Sequence, residues 1–112
     1  MHITRVLLLG ARVCLADVVI GELFQGVRTA QERAIIEEFT NTLPTLAGTP
    51  TMWKAAGQLV VEARGRDRTV HLIDSYLACL AKEHRASLLT CDRHFETFHT
   101  FLPQLHIDLI SA

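Results

Sequence analysis

Three carboxylates stand where a charge is poorly placed. Glu22 lies in the run Val18-Val-Ile-Gly-Glu-Leu-Phe24. Asp74 sits between Leu72-Ile73 and Tyr76-Leu77. Asp92 closes the apolar stretch Leu88-Leu89-Thr90-Cys91. A buried, unpaired carboxylate is costly unless something neutralises it. Each has a plain reading of its own: Asp74 as a helix N-cap, Asp92 as a cap for the helix after it, Glu22 on the exposed face of its helix. Together they suggest more. Asp74 and Asp92 fall at junctions between extended segments and helices, and in α/β folds such junctions gather at one edge of the sheet, where ligands bind. Carboxylates converging there repel one another unless a cation intervenes. Hard oxygen ligands suit Mg²⁺ or Mn²⁺, and a metal-activated water at such a cluster hydrolyses phosphodiesters.

The elements that must position these acids can be read from periodicity and punctuation. Residues Ile3 to Leu9 end at Gly10-Ala11 and read as a helix tail stopped by Gly10, with a short strand as the alternative. Arg12 to Ala16 reads as a buried strand, with Asp17 as the N-cap of a helix over Val18–Gln25 that Gly26 closes. Thr29 and Glu32 have capping-box spacing. They open a helix carrying Ile35, Ile36, Phe39 and Leu43, which Pro44 ends. Trp53, Ala56, Val60 and Ala63 recur at helical spacing over Thr51–Arg64. Asp74–His84 is a helix apolar on most sides in its first half, hence deeply buried. Ser87–Thr90 reads as a strand, Phe95–Phe101 as a short helix, and Leu105–Ile110 as a last strand. Strands alternating with helices predict an α/β, three-layer α/β/α fold around a short parallel sheet.

Composition narrows the classes. A chain of 112 residues, 49% hydrophobic and 21% charged, is one domain able to bury a core. Eleven basic residues against twelve acidic ones exclude a polybasic nucleic-acid binder but leave nucleic acid open as a substrate. Cys14, Cys79 and Cys91 are odd in number and widely spaced, which predicts a reducing, cytoplasmic setting. No apolar run is long enough to span a bilayer, and Arg12 interrupts the short apolar run of the N-terminus, against a signal peptide.

Three motifs carry a resemblance. Gly21-Glu-Leu-Phe-Gln-Gly-Val-Arg28, Ile73-Asp-Ser-Tyr-Leu-Ala78 and Leu89-Thr-Cys-Asp-Arg-His-Phe95 stand in an order and at distances similar to the later motifs of PIN-domain ribonucleases, in particular the VapC toxins of toxin–antitoxin pairs. The Trp53 helix and the Arg64-Gly65 turn are also similar to that family. The resemblance implies a Mg²⁺- or Mn²⁺-dependent endoribonuclease acting on structured RNA. Glu22, Asp74 and Asp92 would be its acidic catalytic and metal-binding residues, and Thr90 would support a carboxylate or a water. It also implies a VapB-type antitoxin as partner, laying a segment in a groove and offering a basic side chain to the acids; a homodimer is expected because so small and apolar a chain, missing a core element, would leave apolar surface exposed.

The sequence departs from the family at its start. The family opens on a central strand that carries its first metal-binding aspartate. Met1-His-Ile-Thr-Arg5 offers no acid. Asp17 is a poor substitute, since five residues place it roughly 140° around a helix from Glu22. The resemblance therefore implies a PIN-like domain lacking its N-terminal strand, with a weak or inactive site.

Other candidates are weaker. His94 and His99 are five apart, and Cys91 with His94 forms one C-x-x-H without a partner pair, so structural zinc is not expected. Arg64, Arg66 and Arg68 surround Asp67 in what reads as a solvated turn. The face Ile35, Ile36, Phe39 is either core or a groove for a partner helix. Two functional classes follow: a metal-dependent ribonuclease, or a non-catalytic remnant that binds an antitoxin or a second subunit.

Overall fold

The computed structural model describes residues 5–109. Five strands form one sheet in the order β3-β2-β1-β4-β5. β3 (Thr45–Leu46) pairs parallel with β2 (Arg12–Ala16), and β5 (His106–Leu109) pairs parallel with β4 (Ser87–Thr90). β1 (Arg5–Leu9) lies between β2 and β4 and is antiparallel to both. β2 and β4 therefore run the same way, and β1 alone is reversed among the described strands. The expectation of a parallel sheet holds for four strands and is corrected for the fifth.

The reversal has a local cause. Val6, Leu7 and Leu8 are apolar and Gly10 adopts φ +64°, so Gly10-Ala11 turns the chain tightly from β1 into β2. A glycine followed by a second turn residue between two apolar runs is a hairpin signal, because glycine takes positive φ without strain. The helix expected over Ile3–Leu9 is thus a strand over its described part, and Gly10 turns a hairpin instead of ending a helix. Leu7 is buried and pairs with Cys14 on one side and Leu88 on the other. β1 holds the centre of the sheet, but it runs antiparallel to its neighbours and carries no acid.

Four α-helices accompany the sheet: α1 (Asp17–Gln25), α2 (Ala30–Thr42), α3 (Pro50–Arg64) and α4 (Leu72–His84). The Thr29 hydroxyl accepts the Glu32 N–H at 3.1 Å, while the Glu32 carboxylate reaches one residue further back, to the Arg28 N–H at 3.0 Å. Thr49 caps α3 in the same way, with Pro50 in the first turn, where a missing N–H costs nothing. α3 and α4 pack along each other, and the buried Ser75 hydroxyl donates to the Ala56 carbonyl at 2.8 Å across that contact. The apolar first half of α4 is buried as expected, with Tyr76, Leu77, Ala78 and Leu80 in the core beside Leu15, Leu88, Phe95 and Phe98. A 3-10 helix, Arg93–Thr100, replaces the helix expected over Phe95–Phe101.

Two caps are corrected. Ala16 and His71 are the N-cap residues of α1 and α4, and neither makes a side-chain cap bond. Asp17 and Asp74 sit inside the first turns of those helices. There their charge faces the positive end of the helix dipole. Among the described residues, no helix is long and apolar enough to cross a membrane.

Candidate functional site

An acidic edge forms where β4 ends and β1 begins. Because β1 runs backwards, its first residue, Arg5, lies across from Thr90, the last residue of β4. Its guanidinium extends between two helices. Nη1 donates to Oδ1 of Asp74 on α4 at 2.7 Å, and Nη2 donates to Oε1 of Glu22 on α1. One cation thus joins two acids that are 52 residues apart in sequence. The side chains of Arg5 and Asp74 are 19% and 23% exposed and that of Glu22 is 43% exposed, so the Asp74 bond is partly shielded from water and the Glu22 bond faces it.

Asp92 lies on the other side of Asp74. The two share a cleft of about 210 Å³ with Thr69, Val70, His71 and His94. Asp92 caps the 3-10 helix: its Oδ1 accepts the His94 N–H at 2.9 Å and bonds the same residue's Nδ1 at 2.7 Å. The cap expected for Asp92 is therefore present. Thr90 is fully buried, and its Oγ1 accepts the Asp92 N–H at 3.0 Å, fixing the backbone that carries the carboxylate.

The two cleft acids are shifted in opposite directions. Burial pushes the Asp74 carboxyl above its usual range, and the Arg5 charge pulls the other way without reversing it. The His94 N–H holds Asp92 below its usual range, with the rest of His94 and Arg5 adding to the effect. Burial decides the sign for Asp74, and the His94 hydrogen bond decides it for Asp92.

These side chains do not fit a divalent ion as they stand. Among the described residues, no group of three or more His, Cys, Asp or Glu side chains is arranged to hold a metal. Glu22 and Asp74 each give an oxygen to a guanidinium, and Asp92 gives one to His94.

A second polar cluster lies deeper. The Tyr76 hydroxyl donates to the Asp17 carboxylate, 2.8 Å from Oδ1 and 3.0 Å from Oδ2, and accepts the Gly48 N–H at 2.8 Å. The Tyr76 ring stacks on Trp53 with centroids 3.9 Å apart and planes 11° from parallel. Gly48 is needed there, since a Cβ would stand 2.5 Å from the Tyr76 hydroxyl oxygen. Burial and the Asp17 carboxylate push the phenol up to about 12.

The candidate partner face divides. Ile36 is buried in the core and Phe39 packs against it, while Ile35 is 59% exposed. Sequence reasoning missed Arg5 and the Asp17–Tyr76 pair. The signals were an arginine opening an apolar strand in a chain with misplaced acids, and a lone tyrosine whose hydroxyl needs a partner when buried.

The chain matches the PIN domain family over residues 2–99 and belongs to it. Among curated proteins, none matches the chain.

Proposed function

We propose that this chain is a nuclease-type PIN domain directed at RNA phosphodiesters, of the VapC toxin kind, and that as it stands it is a weak or inactive enzyme. The observation that carries the reading is the meeting of Glu22 and Asp74 at one point, with Asp92 across the adjoining cleft. That acidic edge is where a PIN ribonuclease would bind Mg²⁺ or Mn²⁺ for hydrolysis. Glu22, Asp74 and Asp92 are its catalytic and metal-binding residues in this reading, with Thr90 supporting Asp92. Weakness follows from Arg5, whose guanidinium already holds an oxygen of both Glu22 and Asp74. A carboxylate site works only when its geometry is held to within roughly half an ångström.

Incubation of purified chain with structured RNA and Mn²⁺ tests this. Cleavage little above that of an Asp74→Asn control is expected. Brisk cleavage by the native chain, lost in Asp74→Asn, would show that the site is complete and the reading of weakness wrong.

A second reading is a non-catalytic PIN domain that binds a VapB-type antitoxin or a second copy. Leu72 and Ile73 favour it, since both are exposed directly beside Asp74. A monomer by light scattering at micromolar concentration would remove the second copy as occupant.

A further inference from the structure

We infer that Arg5 is the acidic edge's own cation and that its guanidinium keeps a divalent ion out. The inference takes its meaning from the nuclease reading above, but it stands on the geometry of one side chain. Arg5 uses different nitrogens for its two acids, Nη1 for Asp74 and Nη2 for Glu22. The side chain is mostly covered and its backbone is fixed in the ladder opposite Thr90, so it is not a loose surface group.

Three electrostatic facts follow. Two half-covered carboxylates brought this close would repel one another without a cation, and the guanidinium removes that repulsion with directional, charge-assisted bonds. The charge is permanent, because arginine does not deprotonate in proteins. A divalent ion needs the carboxylate oxygens themselves, at about 2.1 Å for Mg²⁺. The N–H groups of Arg5 already hold an oxygen of each acid, and its positive charge repels an incoming cation. The reversed strand places this residue: it brings the start of β1, rather than its end, to the edge where β4 finishes.

Metal binding by the intact chain tests the inference. Free Mn²⁺ is followed by electron paramagnetic resonance, and melting temperature is measured with and without Mn²⁺. Arg5→Gln removes the charge and leaves a strand-compatible side chain. Its affinity for Mn²⁺ is expected to rise on the order of tenfold or more over the native chain, since one unit charge in contact is lost. Its melting temperature should rise with Mn²⁺ while that of the native chain does not. Adding Asp74→Asn to Arg5→Gln should cancel the gain, and Arg5→Lys should bind as poorly as the native chain.

The inference is overturned if the folded Arg5→Gln variant gains no affinity. It is overturned equally if the native chain binds Mn²⁺ as tightly as the variant. If Arg5→Gln does not fold, the native chain decides alone: Mn²⁺ bound there and lost in Asp74→Asn would sink the inference, and no such binding would uphold it. RNA cleavage by Mn²⁺-loaded Arg5→Gln is read separately. Metal binding without cleavage would refute the nuclease reading and leave the role of Arg5 standing.

Discussion

Two polar clusters divide the acids of this chain, and each solves the problem of a carboxylate differently. In the inner cluster Asp17 accepts a phenol hydroxyl from a fully buried tyrosine. In the outer one Glu22 and Asp74 share a guanidinium at the edge of the sheet. The inner solution uses a neutral donor locked by aromatic stacking and by a glycine that nothing larger can replace. It is inseparable from the core. The outer solution uses a charged side chain, whose work another cation could do once it is removed. The first cluster is therefore expected to answer to changes in stability, and the second to changes in ion binding.

The sharpest way to break this comparison is at Tyr76. Tyr76→Ala should cost about 3–5 kcal/mol, the range for removing a large aromatic side chain from a core. It takes away the Trp53 stack, leaves the Gly48 N–H without its acceptor and leaves Asp17 with the Val18 N–H alone. Tyr76→Phe keeps the ring and loses only the hydroxyl, so a smaller loss of about 1–3 kcal/mol is expected for the lost Asp17 bond and the Gly48 N–H deprived of its acceptor. Urea melts of both variants check the order. A Tyr76→Phe variant as stable as the native chain would show that the inner cluster is no more structural than the outer one.

How much of this was legible in the residues follows from the range of the interactions. β2, β4 and the extents of α1 to α4 could be read closely, because apolar periodicity, Thr29, Pro44 and Gly26 act within a few residues of where they stand. β1 stays ambiguous in the residues because a glycine after an apolar run ends a helix and turns a hairpin with equal ease, and pairing with β2 across the turn and with β4, some eighty residues away, selects the strand. The acids of the edge stood out by their apolar neighbours. Their shared cation did not, since nothing local in residues 5–9 points to Glu22 or Asp74. The Asp17–Tyr76 bond spans 59 positions and was invisible for the same reason.

A gentler test of the inner cluster uses its proton. The chain has one tyrosine, so the ultraviolet absorbance of tyrosinate reports Tyr76 alone. The folded phenol titrates at about 12, above the unfolded value of 10. Between those values the folded chain keeps a proton that the unfolded chain releases. The stabilisation is therefore complete below pH 10 and is lost as pH rises through 12. Tyrosinate should thus form together with unfolding, and Tyr76→Phe should flatten the alkaline limb of the stability curve. Tyrosinate appearing near pH 10 in chain that is still folded would detach Tyr76 from the core.

The smallest expected effect lies at the outer edge, in the opposite shifts of its two cleft acids. Asp92 is held below its usual range by the His94 N–H, and Asp74 is raised above it by burial. For Asp92 the folded chain favours the ionised form. Its contribution to stability is present above the unfolded carboxyl range, near 3.8, and is lost as pH falls through the lower folded value. Asp74 has the reverse sign. Its ionisation weighs against the fold at neutral pH, and that penalty is relieved as pH falls through the raised folded value. Asp92→Asn keeps a side chain able to cap the 3-10 helix, because asparagine caps about as well as aspartate. Its cost should therefore be confined to the lost charge, visible as a slightly lower melting temperature near neutrality that merges with the native curve in acid. Asp92 is exposed, so added salt should shrink even that difference. Side-chain carboxyl NMR gives the direct reading: Asp92 should titrate below the ordinary range and Asp74 above it. Both carboxyls titrating below the ordinary range would mean that the guanidinium, rather than burial and capping, governs the whole edge, and the division between its two acids would have to be withdrawn.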